Sequence, residues 1–277
     1  VFNISVPTLG GRRYWTDLRI QDGWRVQRRA GSKTCRLLDR FDIQRCRGDE
    51  EAMLLVMEDR IAQGAIGPLR SDVVVLIHGL GRSNHSLRSL AKAFRAKGFE
   101  VIDFNYASSQ FEISVHSHNL NRVLTNLKGA KRVSFVTHSL GGIVLRHALT
   151  QSEPWQKNIQ LHRAVLLTAP NQGSAVARML TGRPFMDDLF GPALRQLANP
   201  KLGQNNLLNM TFTTIAGTVN WLPFLSGVND GLVTEEETRL DGSDQHKILK
   251  ASHAFVMNDK DVISFATEYL TNANEEK

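Results

Sequence analysis

The chain has 277 residues, 34 Lys and Arg against 27 Asp and Glu, and a formal charge of +7. With 42% hydrophobic and 22% charged residues it has the composition of a globular protein, which excludes disordered and fibrous classes. Its longest aliphatic run, Val73 to Ile77, is far too short for a spanning helix, and its two cysteines, Cys35 and Cys46, exclude a disulfide-dense scaffold or a Cys₄ metal site.

In chain order, residues 1–47 come first and hold eleven Lys/Arg and four Asp, so the whole net charge lies there. The remaining 230 residues balance 23 basic against 23 acidic side chains. The first segment reads as a basic N-terminal arm, with Trp15 and Trp24 as anchors on the body or at a membrane interface. Residues 48–277 read as one α/β domain. Asp49 to Gln63 is a predicted helix, because Met53, Leu54, Met57 and Ile61 recur every three to four residues behind an acidic first turn. Val73–His78 is a predicted strand covered on both faces. Then follow a helix from Leu87 to Lys97, a strand Phe99–Phe104, a helix from Ile113 to Leu127, a strand Arg132–His138 and a helix from Leu140 to Ala148. Ala164–Thr168, Thr211–Ala216 and Lys247–Leu249 are further strands, and Val262 to Leu270 closes the chain as a helix. This alternation predicts right-handed crossovers and a mostly parallel sheet flanked by helices. The stretch of about 175–210 breaks the rhythm and reads as a short helical insertion, a lid or cap over one end of the sheet.

Chemistry concentrates at four places. Ser139 follows the strand RVSFVTH and opens the helix LGGIVLRHAL, so a sharp strand-to-helix turn would push its hydroxyl out at the carboxyl end of the sheet. The nucleophile-elbow pattern is G-x-S-x-G. Here Thr137-His138-Ser139-Leu140-Gly141 keeps the second glycine and has Thr in place of the first. The alternative for Ser139 is a plain helix cap. The turn His78-Gly79-Leu80-Gly81-Arg82 follows the strand VVVLI. Acyl transfer needs two preorganised N–H donors for the oxyanion, and Leu80 and Leu140 are the candidates. Arg82 either contacts substrate or pairs with a surface acid, and the second reading is favoured. Asp230, in the Asn229-Asp230-Gly231 turn beyond TFTTIAG, is the candidate acid, unless that turn is only a turn. His253 follows the strand HKILK and is the candidate base. His246 begins that strand, at the wrong end of the sheet. His138 is read as structural, its side chain pointing away. His116 and His118 face different ways on their helix and do not make a metal pair. No cofactor and no metal are expected.

HGLGRS, THSLGG, TAPNQGS and the spacing of NDGLVT to ASHAF resemble the bacterial lipase and esterase branch of the α/β-hydrolase superfamily, over roughly residues 70–270. Within that branch the sequence is similar to lipases related to inositol deacylases. Many lipases carry His where Asn171 stands. The resemblance implies an α/β-hydrolase fold and a serine carboxylic-ester hydrolase acting through Ser139, His253 and Asp230. It also assigns 175–210 to the lid.

The expected substrate is a lipid-like or acyl ester, and the apolar Phe185, Met186, Phe190, Trp221, Leu222, Phe224 and Leu225 either line an acyl pocket and lid or pack the core. An acyltransferase with the same triad and a non-catalytic binding module are the rivals. The basic arm suggests contact with an anionic membrane surface rather than with nucleic acid. An exported, periplasmic or membrane-associated protein is expected, with a cytoplasmic one as the alternative. Cys35 and Cys46 fit either a small disulfide loop or two free thiols, and the oligomeric state is open.

Overall fold

The computed structural model describes residues 6–7, 11–199, 207, 210–220 and 225–271. The first segment is not an extended arm. β1 (Val6–Pro7), β2 (Trp15–Gln21), β3 (Trp24–Arg29), β4 (Cys35–Leu38) and β5 (Ile43–Gly48) form an antiparallel sheet in the order β1-β5-β4-β3-β2. The expected boundary between residues 47 and 48 therefore falls inside β5. The signal for this sheet was the two-residue Asp22-Gly23 turn, whose φ values of 49° and 75° suit a hairpin that matches the strands' twist. What hid it is that β2 buries polar residues: Asp17 and Arg19 sit among its covered positions, so no apolar alternation appears.

Part of the basic charge of this segment is met within the fold. Six of its arginines form ion pairs: Arg12 with Asp42, Arg19 with Glu58, Arg25 with Asp17 and Asp103, Arg28 with Glu50, Arg40 with Asp22 and Arg45 with Asp39. Arg36 bonds Gln27 and lies 3.9 Å over the Trp15 ring. The helix α1 (Glu50–Ala62) starts where Asp49 caps the Ala52 amide at 2.9 Å. It buries Met53 and Met57 against Leu18, Val26, Leu37 and Cys46 of the sheet. Both cysteines are buried free thiols, and Cys46 Sγ lies 3.6 Å from Met53 Sδ.

The second sheet comes from β6 (Asp72–Ile77), α2 (Arg88–Ala96), β7 (Glu100–Phe104), α3 (Ile113–Thr125), β8 (Arg132–His138), α4 (Leu140–Leu149) and β9 (Gln160–Leu167). Then come α5 (Ala175–Leu180), α6 (Pro184–Phe190), α7 (Pro192–Ala198), β10 (Thr211–Gly217), α8 (Glu235–Thr238), β11 (Gln245–Leu249) and α9 (Lys260–Thr271). All neighbours are parallel, in the order β11-β10-β9-β8-β6-β7. This is the α/β-hydrolase fold, with the helical insertion realised as α5, α6 and α7.

The alternation of side chains explains the run Val73–Ile77. Val73, Val75 and Ile77 face the core shared with α3 and α4, while Val74 and Leu76 face that shared with α2 and α9. All five are buried, and each such side chain contributes roughly 1.5–3 kcal/mol over an exposed one. The chain leaves β6 toward β7 and returns to β8 on β6's other side, so the order reverses between β6 and β8. The loops after these two strands adjoin there, at the carboxyl ends, which is where open α/β sheets place ligands. Among the described residues no helix is long and apolar enough to cross a membrane.

Candidate active site

Ser139 sits in the turn between β8 and α4 with φ 52° and ψ −122°, a conformation that a non-glycine residue adopts only under constraint. The Ser139 amide donates to Leu167 O on β9 at 2.9 Å, which fixes the turn from the neighbouring strand. The helix packs so tightly behind it that a Cβ on Gly141 would stand 2.4 Å from Ile77 O and 2.8 Å from His78 O. Gly142 in turn leaves room for Thr137, whose Oγ1 would be 3.2 Å from a Cβ there. The small residues this turn needs are thus the two glycines after Ser139, and the threonine before it is accommodated.

The three residues singled out from the sequence meet. His253 Nε2 lies 3.0 Å from Ser139 Oγ, and His253 Nδ1 lies 2.8 Å from Asp230 Oδ2. A carboxylate only accepts, so Nδ1 carries the proton and Nε2 is left to accept from the serine hydroxyl. Asp230 is itself held. Its Oδ1 accepts from the Leu232 amide at 3.0 Å and the Val233 amide at 2.8 Å, and its carbonyl accepts from the His253 amide at 3.0 Å. Exposures of 8% for Ser139, 7% for His253 and 2% for Asp230 keep the line of bonds largely out of water.

The loop after β6 faces this line, and a Cβ on Gly79 would lie 3.1 Å from Ser139 Cβ. Among the described residues, the amides of Leu80 and Leu140 donate to no protein group, whereas Gly81 N donates to Ser108 Oγ at 3.0 Å and Arg82 N to Gly79 O at 3.3 Å. His78 anchors the loop from beneath. Its Nε2 accepts from the Tyr106 amide at 3.3 Å, so its Nδ1 donates to Gly79 O at 2.9 Å, and Tyr106 Oη donates to His78 O at 2.7 Å. Burial pushes the His78 pKa down to about 3 and keeps this tautomer neutral.

The N-terminal sheet supports the loop through a chain of polar contacts that sequence reading missed. Asp17, fully buried, accepts from Arg25, Gln27 and the Asn105 amide. Asn105 Oδ1 accepts from the Asn84 amide at 3.1 Å, at the end of the loop. No short motif could have revealed it, since its members come from four elements.

Two expectations change. His138 does not point away from the site: it is buried, its Nε2 lies 3.0 Å from His253 O, and its ring centroid is 4.9 Å from that of His253. Burial and the nearby His253 hold its pKa well below the usual range, so it packs beside His253 as a neutral ring. Among the described residues Arg82 makes no pair with a surface acid; its Nη2 donates to Ala254 O at 2.9 Å. His246 lies at the far end of β11, bonded to Thr214 and Glu235, and His118 is exposed while His116 is buried. Among the described residues no group of three His, Cys, Asp or Glu is placed to hold a metal ion.

A cavity of about 210 Å³ opens onto Ser139 and His253. Its apolar wall comes from Leu80, Val176, Ala177, Leu180, Phe190, Leu194, Leu197 and Leu232. Of the residues expected to line an acyl pocket, Phe190 does so. Met186 packs against the core, Phe185 is 73% exposed and Leu225 is buried. Trp221, Leu222 and Phe224 lie outside the described residues. The wall residues missed on α5 were legible as one helical face. Two larger clefts, of about 530 and 490 Å³, lie along the N-terminal sheet and hold none of the three residues.

Residues 69–199 match the family model described as "Putative serine esterase (DUF676)". The fold is similar to that of the lipase BlEst2 of Bacillus licheniformis in its mature form, with a TM-score of 0.57 and 20% identity over 73% of this chain and 92% of that one. The propeptide form of the same lipase aligns with a TM-score of 0.58 and 21% identity, over 76% of this chain and 53% of that longer one. The lin2722 gene product of Listeria innocua aligns with a TM-score of 0.51 and 15% identity, over 75% and 96% of the two chains. No curated protein sequence matches the chain. By its sheet order and these likenesses the chain has the α/β-hydrolase fold, and its residues 69–199 are similar to a family of putative serine esterases.

Proposed function

We propose that the protein hydrolyses carboxylic esters through an acyl-enzyme formed on Ser139. The observation that carries this reading is the unbroken line of hydrogen bonds from Asp230 through His253 to Ser139 at the mouth of an apolar cavity. In the proposed reaction Ser139 Oγ attacks the ester carbonyl while His253 Nε2 takes its proton. Asp230 holds the tautomer and stabilises the imidazolium. The Leu80 and Leu140 amides receive the oxyanion, each such donor being worth about 3 kcal/mol in comparable sites. His253 then protonates the leaving alcohol, and a water molecule repeats the sequence on the acyl-enzyme. No metal or cofactor takes part in these steps. The cavity is smaller than the ~300–1,000 Å³ usual for drug-sized ligands, which favours one short or medium acyl chain over a pair of long ones.

The test is labelling by a fluorophosphonate probe together with hydrolysis of 4-nitrophenyl esters from acetate to palmitate. Labelling on Ser139, loss of about a thousandfold or more in Ser139→Ala, and a preference for medium chains are expected. Full ester hydrolysis by Ser139→Ala would end the proposal.

A further inference from the structure

Arg82 brings a positive charge into the wall of the cavity that the chemistry above leaves without a use. It is half-buried and lines the same space as Ser139 and His253. Among the described residues no carboxylate lies within ion-pair distance of it, and the one hydrogen bond of its guanidinium is the Nη2 contact with Ala254 O. The charge that acts on it is that of another cation, Arg13, which together with burial lowers its pKa. A guanidinium offers five N–H donors in a flat fork, so most of this group's capacity is unspent. Removing it partly from water without an acid is costly, and a ligand carboxylate or phosphate would offset that cost with charge-assisted bonds.

Its position indicates which part of a substrate it would meet. Ala254 directly follows His253, so the bond to Ala254 O holds the guanidinium on the side of the base. That is where the leaving alcohol lies when His253 hands it a proton. The acyl chain has the apolar wall of Leu180, Phe190, Leu194 and Leu197. We infer that the preferred substrates are acyl esters whose alcohol part carries an anionic group, a phosphate or a carboxylate, recognised by Arg82. This rests on the ester-hydrolase reading of Ser139 and extends it to the substrate class. The same donor geometry would serve a phospholipid headgroup or a small soluble phosphate ester.

The experiment compares 1-octanoylglycerol with 1-octanoylglycerol 3-phosphate below their micellar concentrations, so that the two differ only in the phosphate. A preference of about tenfold or more in kcat/KM for the phosphate ester is expected, the discrimination one charge-assisted bond can supply, and salt should weaken it. Arg82→Gln should bring the ratio toward one, and Arg82→Lys should restore much of it. A long-chain lysophosphatidate in vesicles, tested beside the short soluble ester, separates a membrane substrate from a free one. A ratio near one in the parent protein, with both esters hydrolysed, overturns the inference and leaves the hydrolase reading standing. A ratio unchanged in Arg82→Gln overturns it too. Binding to Ser139→Ala gives a second readout, where the phosphate ester should bind about tenfold tighter than the neutral one, and equal binding would count against the inference. Failure to hydrolyse either ester, with Ser139 unlabelled by fluorophosphonate, would overturn the hydrolase reading and this inference with it.

Discussion

Gly141→Ala sets two physical rules against each other. In a helix interior, Gly to Ala gains about 1 kcal/mol of intrinsic propensity, and Gly141 is the second residue of α4. The new Cβ, however, would stand 2.4 Å from Ile77 O and 2.9 Å from Ile77 C. Carbon atoms in good contact sit about 3.5–4.0 Å apart, so the helix must retreat by roughly 1 Å. No rotamer change can relieve the clash, because the opposing atoms are backbone of β6, which is bonded on both sides by β7 and β8. Overpacking of this kind costs about 1–3 kcal/mol and should outweigh the propensity gain. The helix start also carries Ser139, and a displacement of about 1 Å at a reacting group costs on the order of a hundredfold in rate. Urea unfolding of the parent and the variant measures the first effect, and kcat/KM on 4-nitrophenyl butyrate measures the second. A Gly141→Ala protein as stable and as active as the parent would refute the reasoning.

Other outcomes follow from the same geometry. Asp230→Asn should keep the fold yet lower kcat by about ten-thousandfold, because the amide would favour the wrong His253 tautomer; a loss below tenfold would remove Asp230 from the mechanism. His78 has a folded-state pKa of about 3 against an ordinary 6.5, so between these values the unfolded chain binds the proton more tightly and stability falls as pH drops. At about pH 4.5 this residue alone should cost about 3 kcal/mol, and His78→Asn should flatten the pH dependence of urea unfolding by about that amount; an unchanged slope would contradict the assignment. Arg25→Leu leaves the Asp17 carboxylate uncompensated in the junction between the sheets and should destabilise by about 3–5 kcal/mol, and a shift within error in urea would show that the pair is not needed. Burial pushes the Cys35 thiol up to about 11, so thiol reagents should find two cysteines in the denatured protein and essentially none in the folded one, whereas failure to react when denatured would indicate a disulfide.

How much of this was legible in the sequence differs from element to element. Where a segment's own side chains decide its structure, the reading was close. α1 lies one residue inside each end of the predicted helix, β8 matches its prediction, and the run Val73–Ile77 is a strand covered on both faces. Local spacing also sufficed for the candidate residues. The turns bearing Ser139, Asp230 and His253 each follow a strand of a parallel sheet, so all three must emerge at its carboxyl end. The first 47 residues were read as an arm because β2 places Asp17 and Arg19 at covered positions, where charge ordinarily marks solvent.

Tertiary structure alone decided what depends on partners far along the chain. Asp17 is tolerated in the interior only because Arg25, Gln27 and the Asn105 amide surround it. The side chain of His138 turns toward His253 only because β11 brings residue 253 alongside. The cation of Arg82, 172 residues from its one bonded carbonyl, enters the cavity rather than the surface for the same reason. A sequence states the period of its apolar residues and the chemistry of its turns. Where a buried charge finds its counterpart is set only when distant segments pack, and the segment first read as a basic arm is in the folded protein a sheet whose Arg19 and Arg28 reach Glu58 and Glu50 of α1 and whose Arg25 reaches Asp103 of β7.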